Sequence, residues 1–92
     1  MVEVMDNPDQ SRFEIHLDGV PIGSLAYHRS GDVLTTPHAE IDRAYGGNGY
    51  GHTLVKESLD QIRASGLKVR PACPFVRYYI AAHPEYRDLA VA

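Results

Sequence analysis

The spacing of apolar residues changes once along this chain, and the change divides it in two. In the first half the period is two. Arg12-Phe13-Glu14-Ile15-His16-Leu17 alternates cleanly, with Phe13, Ile15 and Leu17 on one face and Arg12, Glu14 and His16 on the other. That pattern predicts a half-buried strand. Val2 to Met5 alternates weakly and predicts a short first strand, with Asn7-Pro8-Asp9-Gln10 as the loop between them. Asp18-Gly19 is a strong hairpin signal, because both turn positions require φ > 0. The returning strand is expected over Val20 to His28, with Gly23 marking a bulge. Ser30-Gly31-Asp32 turns the chain again. Val33-Leu34-Thr35-Thr36 and His38-Ala39-Glu40-Ile41 then read as one strand, or as two bent at Pro37, which lacks a ladder donor. The first half is expected to be an antiparallel meander.

From Gly51 the period becomes helical. Leu54, Val55, Ser58, Leu59 and Ile62 form one stripe, and Lys56, Glu57, Asp60 and Arg63 lie off it. This predicts an amphipathic helix laid on a sheet, stopped by Gly66. Leu67 to Arg70 is a short strand. Pro74 suits the first turn of a second helix, whose apolar face is Phe75, Val76, Tyr79 and Ile80. Pro84 ends it, and Glu85 to Leu89 forms a terminal turn. The expected fold class is α+β: antiparallel strands, then helix–strand–helix, in a single domain over residues 1–92.

The junction between the two halves is the most informative stretch. Gly46-Gly47-Asn48-Gly49-Tyr50-Gly51-His52 holds four of the eight glycines and opens directly into the helix. Glycine permits φ > 0 and close approach of the backbone. A helix start offers unpaired N–H groups and the positive end of the dipole. Together they suit an anion, most naturally a phosphate; a plain glycine turn before a helix is the competing reading. A Walker loop is excluded, because Gly51 is followed by His52-Thr53 rather than by lysine. A dinucleotide fingerprint counted from Gly47 would need its third glycine at His52, and the chain is too short for that fold.

Composition narrows the classes. A net charge of −3 argues against a dedicated nucleic-acid binder. No apolar run approaches a membrane span, and Met1 to Asp6 lacks the features of a signal peptide. Cys73 is the single cysteine, so no internal disulfide forms. A reducing cytoplasm is the expected compartment. The histidines do not fall at metal-ligand spacing, and no metal is expected.

The spacing of Gly49 and Gly51, just after a strand and opening a helix, resembles the acetyl-coenzyme A motif of the GNAT superfamily of N-acetyltransferases, Gln/Arg-x-x-Gly-x-Gly/Ala. Gly46 stands where that motif has Gln or Arg. His38-Ala39-Glu40-Ile41 before the loop, and Leu67 to Val76 with its Cys73-Pro74-Phe75-Val76 segment, are similar to the very small single-domain GNAT-like family. So are Tyr79-Ile80 and His83-Pro84-Glu85-Tyr86, and the similarity covers roughly the whole chain.

The resemblance implies a mixed sheet that splays open, with coenzyme A in the split. It implies an acetyl-CoA-dependent N-acetyltransferase acting on an amine, either a small molecule or a protein lysine or N-terminus. The pyrophosphate would sit on Gly46, Gly47, Asn48, Gly49, Tyr50, Gly51 and His52. The pantetheine arm would run beside His38 to Ile41, and the thioester would lie near Cys73. Cys73 then has two candidate roles, an acetyl-carrying nucleophile or a proton donor to the departing thiolate; a small buried thiol with no chemistry is the competing reading. Glu40 and His38, two residues apart on one strand face, are candidate bases for the incoming ammonium. Tyr79 is expected in the core. Two alternatives stand beside this reading: a coenzyme A or acyl-CoA binding module without catalysis, and a small interaction domain without cofactor.

Overall fold

The computed structural model describes residues 1–92 as two small sheets hinged at a common edge, with two helices. Strand β1 (Val2–Asn7) lies antiparallel to β2 (Arg12–Leu17), and β2 to β3 (Val20–Ala26). A 3-10 turn, Pro8–Gln10, joins the first two strands. The Asp18-Gly19 hairpin forms as its chemistry demands, with φ of 50° and 85°. The register slips by one residue where Ile15 faces Gly23 and His16 faces Pro21, beside the expected bulge. Gly23 has a second reason to be glycine. A Cβ there would lie 2.5 Å from Ile41 Cδ1 and 2.6 Å from the Glu40 carbonyl oxygen.

The strand expected over Val20 to His28 is broken at Tyr27, which corrects the simple meander. Tyr27 is buried, its ring lies 5.4 Å from Phe13, and its hydroxyl donates to Asp6 at 2.7 Å. These anchors turn the chain out of the first sheet. Beyond them β4 (His28–Ser30) pairs with β5 (Val33–Thr35) in a second sheet, and β6 (Ala39–Ile41) returns to pair with β3. The segments 20–30 and 33–41 are therefore one long hairpin, kinked in both arms at Tyr27 and Thr36-Pro37. The sheet orders are β1-β2-β3-β6 and β4-β5-β7, where β7 (Lys68–Arg70) runs parallel to β5.

Helix α1 (Tyr50–Ala64) covers the first sheet. Its predicted stripe is the buried one: Leu54, Val55, Ser58, Leu59 and Ile62. Gly66, at φ 73°, stops it. Helix α2 (Pro74–Ala82) starts at proline, and a 3-10 segment, Pro84–Leu89, returns to the core through Tyr86 and Leu89. Tyr86 donates to Asp60 at 2.7 Å, and Arg63 holds Asp88 at 2.8 Å, so the end of the chain is tied to α1. No helix is long and apolar enough to cross a membrane.

The two sheets part after Thr35, whose partner is Arg70. Thr36 still donates to the Arg70 carbonyl at 3.0 Å and accepts from the Cys73 N–H at 2.7 Å. Past this point β6 follows β3 while the chain after β7 enters α2. The opening between them faces the start of α1.

Candidate functional site

The loop ahead of α1 is built by glycine at the two positions that need it. Gly47 and Gly49 both adopt φ 79°, and a side chain at either would find open space, so conformation rather than crowding selects glycine. Gly49 is the N-cap, with no side chain capping the helix. The first helical bond runs from Thr53 N–H to the Gly49 carbonyl at 3.2 Å. The backbone N–H groups of Gly47, Asn48, Gly49, Tyr50, Gly51 and His52 find no acceptor in the protein. Asn48 Nδ2 meanwhile donates to the carbonyls of Tyr45 (3.2 Å) and Gly46 (3.3 Å), occupying oxygens that would repel an anion. Six consecutive donors at the positive end of a 15-residue helix form an anion cradle.

The cradle opens into a cleft of about 490 Å³ in the split between the sheets. One wall is β6, through Ala39, Glu40 and Ile41. The rim is Gly46, Gly47, Gly49, Tyr50, Gly51 and His52, and Leu54 and Phe75 supply apolar surface. That volume falls in the range of small-molecule and cofactor sites. Gly51 is small because Phe75 is close: a Cβ there would lie 3.4 Å from the ring. His52 stands at the lip, its ring 5.4 Å from Phe75 and 5.8 Å from Tyr79.

The expected site residues separate. Ile41, Gly46, Gly47, Gly49, Tyr50, Gly51 and His52 line the cleft, and Asn48 braces its loop from outside the lining. Glu40 lines it as well. His38 does not, although its Nε2 lies 3.5 Å from Glu40 Oε2, on the same strand face as alternation requires. Both side chains are well exposed. Cys73 is buried, 6% exposed, and is not part of the lining. It caps α2 at the apex of the split, fixed there by the Thr36 carbonyl. Tyr79 is core: it is buried, which pushes its phenol up from the ordinary value, and it stacks on His83 at 3.9 Å.

Phe75 and Leu54 are cleft residues that pattern alone assigns to helix packing. A second, polar cleft also escaped the pattern. It measures about 160 Å³ and is lined by Arg12, Glu14, Pro21, Gly23, Ser24, Glu40 and Asp42. Glu14 is only 8% exposed. It accepts hydrogen bonds from Arg12 Nε (2.8 Å), His16 Nε2 (3.0 Å) and Asn7 Nδ2 (3.1 Å). The bonds from His16 and Arg12, against the cost of burial, hold its carboxyl down at about 2.

The sheet splays beside a glycine-rich helix start, and comparison with known proteins gives the class to which such a chain belongs, the acetyltransferases. The model of a family described as GCN5-related N-acetyl-transferase matches residues 12–89. A search of curated proteins gave no significant match. Among solved structures, a GCN5-like protein from Staphylococcus aureus aligns with TM-score 0.72 at 20% identity, covering 98% of this chain and 88% of that one. The ribosomal-protein-S18-alanine N-acetyltransferase of Escherichia coli aligns at TM-score 0.64 and 14% identity, covering 77% and 49%. N-acetylglutamate synthase from Neisseria gonorrhoeae, complexed with coenzyme A and N-acetyl-glutamate, aligns at 0.61 and 12%, covering 95% and 26%. These similarities establish a shared fold.

The chain belongs to the GCN5-related N-acetyltransferase family. It is an N-acetyltransferase, of a family that draws the acetyl group from acetyl-coenzyme A.

Proposed function

We propose that this enzyme binds acetyl-coenzyme A in the 490 Å³ cleft and passes the acetyl group directly to an amine that meets it at Glu40. The observation that carries the reading is the run of six unpaired N–H donors from Gly47 to His52. These donors hold the diphosphate, and no basic side chain is required among them. The exposed backbone and apolar side chains of β6 take the pantetheine arm, with Phe75 opposite. Coenzyme A supplies an activated thioester. The Glu40 carboxylate takes the proton of the incoming ammonium, and His38 orients that carboxylate from 3.5 Å. The new C–N bond forms as the C–S bond breaks. Cys73, at the apex of the split and behind the residues that line the cleft, is assigned the proton that the departing sulfur takes; acetylation of its sulfur during turnover is the measurement that separates this role from that of an acetyl-carrying nucleophile.

Calorimetry with acetyl-coenzyme A tests the site, and saturable binding is the expected result. No detectable heat at millimolar ligand would overturn it. Cys73→Ala is expected to lower kcat by about a hundredfold while leaving coenzyme A affinity unchanged. Mass spectrometry during turnover is expected to find no acetyl group on Cys73. Its accumulation would reverse the assignment of direct transfer.

A further inference from the structure

The polar cleft shares one residue, Glu40, with the cleft assigned above to the acetyl donor. The two lie on opposite faces of β6. Ile41 packs inward against Gly23 and Gly51, whereas Glu40 shares the outer face with Ser24 and Glu14. In register, Glu14, Ser24 and Glu40 form one row across three strands. Ser24 on the middle strand is small, so the row is a trough with charged walls about 9.5 Å apart, two strand spacings.

The walls differ in sign. On the β2 side Arg12 is held by its Nε to the buried Glu14, and both terminal guanidinium nitrogens are without protein partners. On the β6 side Glu40 and Asp42 carry carboxylates, and Asp42 makes no side-chain hydrogen bond or ion pair. The trough is therefore amphoteric rather than merely acidic, and its cation is held by a carboxylate whose side chain is only 11% exposed.

We infer that the trough is the acceptor site and that its substrate class is the small α-amino acid, bound as a zwitterion. This assignment rests on the donor cleft proposed above. Arg12 receives the carboxylate through its two free nitrogens, the geometry in which guanidinium binds carboxylates best. Glu40 and Asp42 receive the ammonium. Glu14 positions Arg12 and does not touch the substrate. Glu40 takes one ammonium proton. The nitrogen then forms the C–N bond to the acetyl carbon as the C–S bond breaks; the coenzyme A sulfur leaves with the proton from Cys73, and the second proton shed by the nitrogen as the amide forms restores the Cys73 thiol. A cleft of about 160 Å³ admits only a short side chain on the acceptor.

The test measures thiol release at saturating acetyl-coenzyme A with alanine, ethylamine and the peptide Ala-Gly-Gly. Alanine is expected to exceed ethylamine in kcat/KM by about tenfold or more, the worth of one charge-assisted carboxylate contact. Arg12→Gln should erase that preference by raising the KM for alanine far more than that for ethylamine. Ser24→Leu, which fills the trough, should abolish use of alanine with coenzyme A affinity intact. Equal use of alanine and ethylamine, preference for the peptide, or an Arg12→Gln variant with unaltered alanine kinetics would each overturn the assignment. Binding of acetyl-coenzyme A without turnover of any acceptor overturns it while the donor site stands. Loss of donor binding in the parent enzyme removes both.

Discussion

Glu14 keeps its charge in a nearly closed position because three donors surround it, and that arrangement makes stability depend on acid. Its carboxyl lies at about 2 in the folded chain against an ordinary 4.5. A depressed folded value means the stabilisation is complete above pH 4.5 and is lost as pH falls toward 2. The loss is on the order of 2 kcal/mol. Denaturant titrations at pH 6 and pH 3 are expected to differ for the parent protein and to differ by less for Glu14→Gln, whose remaining dependence comes from the other carboxylates held low in the fold, Asp60 and Asp88. Two glycines of the cradle make a contrasting pair. At Gly51 a larger residue must displace Phe75, and Gly51→Leu is expected to close the cleft and weaken coenzyme A binding by more than about tenfold. Gly46 has φ −65°, and a Cβ there meets only the Arg43 carbonyl at 3.5 Å. Neither conformation nor crowding demands glycine. Gly46→Arg is expected to tighten coenzyme A by about 1 kcal/mol through a charged contact to phosphate, read by calorimetry.

Within the elements, α1 contains a flaw that can be repaired. Ser58 lies on its buried stripe, fully enclosed, and its hydroxyl has no hydrogen-bond partner. An enclosed hydroxyl without a partner costs about 1 kcal/mol or more. Ser58→Ala is expected to raise Tm by about 4–8 °C for a domain of this size, measured by calorimetric scanning. That stripe was legible from spacing alone, as were Gly66 as the stop, Pro74 as the start of α2 and Asp18-Gly19 as a turn. Each rests on a local rule that tertiary contacts leave intact. Tyr27 was not legible as a break, because its anchors are Phe13 and Asp6, 14 and 21 residues away. Glu14 read as a solvated strand residue for the same reason: its burial depends on Asn7, Arg12 and His16 closing over it. The run of free donors in the glycine loop was legible in the sequence, because it needs only glycine and a helix start. The walls of both clefts were not, since Phe75 reads as helix packing and Arg12, Ser24 and Asp42 as ordinary polar positions.

Across the whole molecule, two clefts meet at a single side chain on a strand three residues long. The cleft beside the glycine loop exists because one hairpin bends in both arms and lends its halves to different sheets. β6 is narrow enough to be reached from both faces, and Gly23 lets it lie close against β3. Under the assignments proposed above, donor and acceptor approach from opposite sides without competing for space. The kinked hairpin also sets the mouth of the split. Its two arms are continuous backbone, so the gap cannot widen by sliding one sheet over the other; the bend itself must open. A residue added to either arm near Tyr27 or Pro37 would turn that angle and shift every side chain beyond it to the reverse face. The width available to the acyl carrier is in this sense written into the length of a ribbon, and evolution can retune it only one residue at a time.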